Sequence, residues 1–288
     1  MPGTLYIVAT PIGNLEDITP RALRILRDVD TVACEDTRRT QGLLNHFGIK
    51  AKTISYHEHN ERERAEQLCQ LLMTGKNVAL VSDAGTPLIS DPGFRIVNAA
   101  IQRNIPVVSI PGATALVTAL TASGLASDQF FFAGFLPARA NARRAKLQEL
   151  RDMRATLIFY EAPHRIAKTL KDAVAVLGDR DAVVARELTK LHEEIARGSL
   201  VDLSRRFSQN VSVRGEMVLI ISAHPGRVRP ESSDSIEPKA EALIDRVRAL
   251  EKEGLNSKEA LKKAARELGF KRPEAYRLLI AQKNRRKK

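Results

Sequence analysis

Residues Asn77 to Gly93 read NVALVSDAGTPLISDPG. Four apolar residues, Val78 to Val81, run without a polar break, the pattern of a short strand buried on both faces of a parallel sheet. Polarity then switches at once. Ser82, Asp83, Gly85, Thr86, Pro87, Ser90, Asp91, Pro92 and Gly93 make a long turn-prone segment just past the strand's carboxyl end, where open α/β sheets hold their ligands. Gly85 lets backbone approach a ligand, and the Asp83 carboxylate can accept from an amino or hydroxyl group. By itself such a segment also suits a surface loop; its weight comes from other strands that end the same way.

Outward from this stretch, strand patterns recur at α/β spacing: Leu5 to Ala9, Thr31 to Cys34, Lys52 to Ser55, and Val107 to Ile110. Helical patterns lie between, including Thr19 to Arg27, opened by a Thr-Pro cap signature, and Glu61 to Met73. After a helix over Ala113 to Ala122, a second series follows: Phe130 to Ala133, Thr156 to Tyr160, Ala182 to Ala185, Glu194 to Gly198 and Met217 to Ser222. Helices over Asn141 to Arg151, Pro163 to Leu177 and Leu203 to Phe207 alternate with these strands. The expected fold class is α/β: a parallel-rich domain over 1–115, a second α/β domain over 116–225, a Pro- and Ser-rich linker over 226–237, and a basic helical segment over 238–288.

Composition fits this division. The 288 residues are 43% hydrophobic but only 5% aromatic, as in an aliphatic α/β core. Cys34 and Cys69 lack metal-ligand spacing and read as reduced, buried thiols. The longest apolar stretch, around Val107 to Leu125, is broken by Pro111 and Gly112, and no leader pattern opens the chain, so a soluble cytoplasmic protein without a membrane span is expected. Net charge is +12, and residues 238–288 hold 16 Lys/Arg against 7 Asp/Glu. That concentration on one segment points to a polyanionic partner. The segment SKEALKKAARELGFKRPEAYRLL has a helix-turn-helix-like layout, with Lys271, Arg272 and Arg277 as candidate phosphate contacts; a plain three-helix bundle has a similar pattern.

No Walker loop is present and no GxGxxG follows a strand, which removes the usual signatures for nucleoside triphosphates and dinucleotides. His57 and His59 flank Glu58, but with no third ligand at a recognisable spacing no metal is assigned. Loops at Pro11 to Asn14, Asp83 to Pro87, Pro111 to Ala115 and Glu161 to His164 all follow strands and should converge on one cleft.

The segments TLYIVATPIGNLEDI, CEDTRRT, SDAGTPLISDPG, SIPGATA, FYEAPHR, ARELTK and RGEMVLII together resemble the tetrapyrrole methylase superfamily of S-adenosylmethionine enzymes, and within it the branch that methylates the ribose 2'-oxygen of a cytidine in 16S ribosomal RNA. The match runs from Leu5 to about Ser222. It implies two domains of tetrapyrrole-methylase type with a cofactor cleft between them, a homodimer, S-adenosylmethionine as cofactor, 16S ribosomal RNA or the small ribosomal subunit as partner, and an appended C-terminal domain. Carried over by motif, Pro11, Asp83, Gly85, Thr86, Thr114, Ala115, Ala162 and Pro163 fall in the cofactor loops. The chain departs from the Gly-Asp-Pro common after the fourth strand: Ser82 precedes Asp83, and Pro87 lies four residues on.

Transfer to an oxygen nucleophile needs alignment and is helped by a base. Glu35, Asp36, Glu161, Glu187 and Lys190 lie at or after strand ends and are the acid/base candidates, although Asp36 also suits a helix cap and Glu187 a pairing with Arg186 or Lys190. A small-molecule methylase would account for the core but not the basic appendage. A nucleic-acid-binding regulator would account for the appendage alone. A final pattern is electrostatic. Helix N-termini favour acidic residues, yet Arg21, Arg38 and Arg39, Arg143 and Arg144, and Arg165 all fall near expected helix starts. Together they suggest a cleft rim for RNA phosphates, from which removing Arg143 and Arg144 leaves stability equal or slightly higher.

Overall fold

The computed structural model describes residues 1–209, 215–224, 243 and 245–268. Residues 1–225 form one compact unit and 226–288 a second.

The first unit contains two five-stranded sheets. In the first, β1 (Leu5–Val8), β2 (Thr31–Cys34), β3 (Thr53–Ser55), β4 (Val78–Val81) and β5 (Val107–Ile110) are all parallel in the order β3-β2-β4-β1-β5. All four residues of β4 are buried. Alternation along the pleat divides the strand residues between two cores. Leu5, Ile7, Val78 and Leu80 pack with α3 (Glu61–Met73) and α4 (Phe94–Gln102). Val8, Ala79 and Val81 pack with α1 (Pro20–Asp28) and α2 (Thr37–His46) on the other face. The Thr19 hydroxyl caps α1 by accepting from the Ala22 N–H, with Pro20 at the first helical position.

The second sheet holds β6 (Phe130–Phe135), β7 (Thr156–Glu161), β8 (Asp181–Arg186), β9 (Glu194–Ser199) and β10 (Met217–Ile221) in the order β6-β7-β10-β8-β9. Only β6 and β7 are parallel; the other pairings are antiparallel. Hydrophobic run length located these strands but carries no direction, which short hairpin connections such as β8 to β9 decide. One face packs on α6 (Ala140–Glu149), α7 (Ile166–Leu177) and α8 (Leu200–Gln209). The other is covered by α5 (Ala115–Ser123), whose Leu116, Ala119 and Leu120 meet Ile158, Val183 and Ile220. Ile12, from the loop after β1, joins this core and so fixes the first sheet's ligand edge against the second sheet.

The expected start of α7 at Pro163 is displaced. Residues 163–165 form a turn closed by the Arg165 N–H to the Ala162 carbonyl, and Arg165 is the cap residue. In the second unit α9 (Ser257–Glu267) is capped by Asn256, which accepts from the Glu259 N–H. Its Ala260, Ala264 and Ala265 pack with Leu243, Val247 and Leu250. The linker, the final expected helix and Lys271, Arg272 and Arg277 lie outside the described residues. No helix among the described residues is long and apolar enough to cross a membrane.

Candidate active site

The strand-end loops do converge, and the hydrogen bonds that hold them together are specific. Thr10 and Gly85 exchange backbone bonds of 2.8 and 3.0 Å, tying the loop after β1 to the loop after β4. The Thr86 hydroxyl donates to the Ala113 carbonyl at 3.0 Å, tying in the loop after β5. The Asn14 N–H donates to the Thr189 hydroxyl at 3.0 Å, linking the first sheet's edge to the loop after β8. Glycine is required at two of these points. Gly85 has φ +82°, and a Cβ on Gly13 would sit 2.5 Å from Lys190 Cγ and 2.9 Å from the Leu188 carbonyl oxygen. The Gly85 N–H is consumed by the Thr10 carbonyl, so it is not an amide that meets a ligand.

These loops enclose a cavity of about 540 Å³. Of the residues carried over from the family pattern, Asp83, Gly85, Thr86, Ala115, Ala162 and Pro163 line it. Pro11 lines a neighbouring cavity instead, and Thr114 is the cap residue of α5, close to Tyr160 on the cavity wall. Asp83 organises the floor: one carboxylate oxygen accepts from the Asp36 N–H at 3.1 Å and the other lies 3.3 Å from an Arg39 nitrogen.

The expected acid/base residues separate once their partners are known. Asp36 lines neither cavity; its carboxylate caps α2, accepting from the Arg38 N–H at 2.8 Å, and that bond holds its pKa below the usual carboxylate range. Glu161 lines the cavity but is 1% exposed and fully engaged by the Ala162 N–H, the Thr169 hydroxyl and the Arg165 guanidinium. Glu187 lines it too, paired with Lys190 at 2.9 Å on a backbone of φ +50°. Glu35 is on the wall, where burial and then the Asp83 charge push its pKa up.

Sequence reading placed Asp91 in the loop after β4 without giving it a role and assigned none to Glu216; both line the cavity. Burial, then Glu35, pushes the Asp91 carboxyl up to about 6, against the Ser82 hydroxyl, which lowers it; Asp83 and Glu216 add further upward pushes. Asp91 reaches this position through a loop in which Leu88 and Ser90 both have positive φ, a strain that accompanies functional segments. The second aspartate of SDAGTPLISDPG was the available signal for it. Glu216 had none, because its place depends on β10 pairing between β7 and β8.

The arginines do not act as one rim. Arg38 and Arg39 are exposed, with side chains 92% and 70% accessible, and Arg144 is half exposed. Arg165 turns inward to Glu161 and to the Leu136 carbonyl. Arg143 is buried at 3% exposure and bound to Asp172 at 2.6 Å, so it offers no guanidinium to a ligand. Counting residues from a helix start located these arginines but said nothing about which side of α6 faces α7. His57 and Glu61 have structural partners: the His57 N–H donates to the Asn60 side-chain oxygen at 2.9 Å and its ring Nε2 lies 3.2 Å from the Asn60 amide nitrogen, while Glu61 accepts from the Tyr56 hydroxyl and from the Gly93 and Arg95 N–H groups at the start of α4.

Two sheets joined at their ligand edges around one enclosed cleft define a known class. Residues 4–204 match the family of tetrapyrrole (corrin/porphyrin) methylases. Solved structures with this architecture include a cobalt precorrin-4 methyltransferase, 20% identical with a TM-score of 0.58 over 76% of this chain and 94% of that one. Another is uroporphyrin-III C-methyltransferase from Thermus thermophilus complexed with S-adenosylhomocysteine, 19% identical with a TM-score of 0.55 over 76% of this chain and 97% of that one. At those identities the likeness shows the fold alone. Sequence relatives are far nearer: the ribosomal RNA small subunit methyltransferase I of Halalkalibacterium halodurans is 46% identical over 96% of this chain and 94% of its own, and that of Haemophilus influenzae is 47% identical over 97% of both. The chain belongs to the tetrapyrrole methylase family and, within it, to the ribosomal RNA small subunit methyltransferase I group.

Proposed function

We propose that this protein transfers the methyl group of S-adenosylmethionine to the ribose 2'-oxygen of a cytidine in 16S ribosomal RNA, acting as a homodimer on that RNA or on the small ribosomal subunit. The observation that carries the donor assignment is the charge of the cavity. Asp83 and Glu187 are matched by Arg39 and Lys190, but Glu35, Asp91 and Glu216 form no ion pair with any described residue. An enclosed wall with three uncompensated carboxylates suits an organic cation. S-adenosylmethionine is one, and it supplies an electrophilic methyl group on a sulfonium. Asp83, Gly85, Thr86, Ala115, Ala162 and Pro163 are the residues that would hold it, on loops fixed to one another by the Thr10–Gly85 and Thr86–Ala113 hydrogen bonds.

The nucleophile is a neutral hydroxyl, so its proton must leave as the new bond forms. Asp91 is assigned as the acceptor. Of the cavity carboxylates without an ion-pair partner among the described residues, Glu35, Asp91 and Glu216, it is the one whose pKa is pushed up as far as about 6, whereas Asp36 and Glu161 are spent on a helix cap and a buried ion pair. The basic segment over 238–288 supports a polyanionic substrate. The exposed Phe130, Phe131 and Phe135 on the edge strand β6, with Phe94 on α4, supply apolar surface that supports pairing with a second copy.

Incubation with methyl-labelled S-adenosylmethionine and either 16S ribosomal RNA or isolated small subunits, followed by mapping of the label, tests the assignment; label on a cytidine 2'-oxygen is the expected result, and absence of RNA labelling overturns it. Donor binding has its own test. Asp83→Ala removes the acceptor of the Asp36 N–H and the anchor of Arg39, so calorimetry should show affinity for S-adenosylmethionine weakened by about 2 kcal/mol, roughly 30-fold, with the fold intact.

A further inference from the structure

The donor cavity is not alone at this edge. A second cavity of about 410 Å³ shares Ile12, Arg39, Asp83 and Ala84 with it. One side is the loop after β1, from Thr10 to Gly13 with Leu15; the other is a single face of α2 carrying Arg39, Gly42, Leu43 and His46. The two cavities differ in charge. The first is walled by carboxylates, while the second has only Asp83, already held by Arg39. A polyanion is repelled by the first and not by the second.

Gly42 supplies an independent observation. It lies in the middle of α2, where glycine is the poorest helix former after proline. A Cβ there would meet nothing within 4 Å, and its φ is not in the left-handed region, so neither crowding nor backbone conformation calls for glycine. Helix stability alone would favour almost any other residue. What the missing side chain does is leave the cavity open on the face of α2 that lines it. Relative to alanine the glycine costs α2 about 1 kcal/mol of helix stability, with no packing contact to offset it.

We propose that this second cavity seats the acceptor nucleotide, with Gly42 making room for its ribose or base and Arg39 turning from Asp83 to its phosphate. The inference rests on the RNA methyl-transfer reading above and adds the side from which the substrate enters. Arg39 is free to turn: its side chain is 70% exposed and meets Asp83 at 3.3 Å, an ion pair of the kind that contributes little. The shared wall of Ile12, Arg39, Asp83 and Ala84 then sets donor and acceptor side by side, as direct transfer between them requires.

Full-length Gly42→Ala and Gly42→Leu test this against the unsubstituted protein. The readouts are thermal midpoint, sedimentation, calorimetric affinity for S-adenosylmethionine, donor-free binding to 16S ribosomal RNA or small subunits, and turnover. The expected result is a thermal midpoint that is unchanged or higher, an unchanged oligomeric state and donor affinity, and a graded loss of RNA affinity reaching roughly tenfold with leucine. RNA affinity and KM that stay native in both variants overturn the proposal, as does donor affinity falling in step with RNA affinity. A changed oligomeric state also overturns it, since Gly42 then faces a second copy. If the unsubstituted protein labels no RNA, the parent reading fails and this one with it; if it labels RNA and the variants do so equally well, only this one fails.

Discussion

Arg143→Ala is expected to cost about 3–5 kcal/mol of stability, the range for stripping one partner from a buried ion pair, and to leave S-adenosylmethionine affinity unchanged in whatever fraction remains folded. The physical case is the completeness of the contact. The Arg143 guanidinium binds Asp172 through Nε at 2.8 Å and a terminal nitrogen at 2.6 Å, and its other terminal nitrogen donates to the Ala138 carbonyl at 3.0 Å and to that of Pro137 at 3.3 Å. It therefore fastens the loop after β6 and α6 to α7. Removal leaves the Asp172 carboxylate buried with only Arg144 and two loop carbonyls without a donor. Arg144→Ala, on a side chain 54% exposed, is the control and should cost no more than about 1 kcal/mol. Denaturant unfolding of the two variants measures the difference, and equal midpoints for both would refute it. The Asp172 pKa carries the same message: burial raises it, but the hydrogen bonds from Arg144 and Arg143 win and hold it low. Because the folded-state value lies below the unfolded one, this contribution is present above about pH 4 and is lost only as the pH falls through the lower folded-state value.

Asp91→Asn is expected to lower turnover by about 10²-fold or more, the usual size of a lost acid/base contribution, with a much smaller effect on RNA affinity. The unsubstituted enzyme should show an acid limb in kcat near pH 6, where the Asp91 carboxyl titrates among Glu35, Asp83, Glu216, the Ser82 hydroxyl and the Tyr160 phenol. The variant should lack that limb. The sign of the accompanying stability effect is opposite to that of Asp172. With a folded pKa of about 6 against an ordinary 3.8, the folded protein binds the extra proton, so stability falls as pH rises from about 4 to 6 and is flat above. Asn removes that penalty, and its thermal midpoint at pH 7 to 8 should equal or exceed the native one, the difference vanishing near pH 4. Near-native turnover with an unchanged acid limb would place the base elsewhere. A residue that weakens the fold in the protonation state its chemistry needs is the pattern expected of a catalytic group.

Reading these residues as a sequence was most successful where the physics is local. A run such as VALV between turn-formers has few alternatives to a buried strand, and every strand expected among the described residues is present within two residues at each end. The Thr19 and Asp36 caps are likewise set by neighbours two or three residues away. Motif resemblance put Asp83, Gly85, Thr86, Ala115, Ala162 and Pro163 in one place, and they do share one cavity. What escaped depends on contacts distant in the chain. Arg143 and Asp172 are 29 residues apart, and nothing near either reveals that α6 turns one arginine into α7 and leaves the next half in solvent. Glu161 looks free at a strand end until Thr169 and Arg165 fold back on it. The direction of the second sheet's strands, the raised pKa of Asp91 and the open face of α2 at Gly42 likewise exist only once the elements are packed. Hydrophobic period and turn chemistry act over a few residues and are legible in order; the charge a buried group carries, and the partner it finds, are decided by burial and distance, which belong to the tertiary structure.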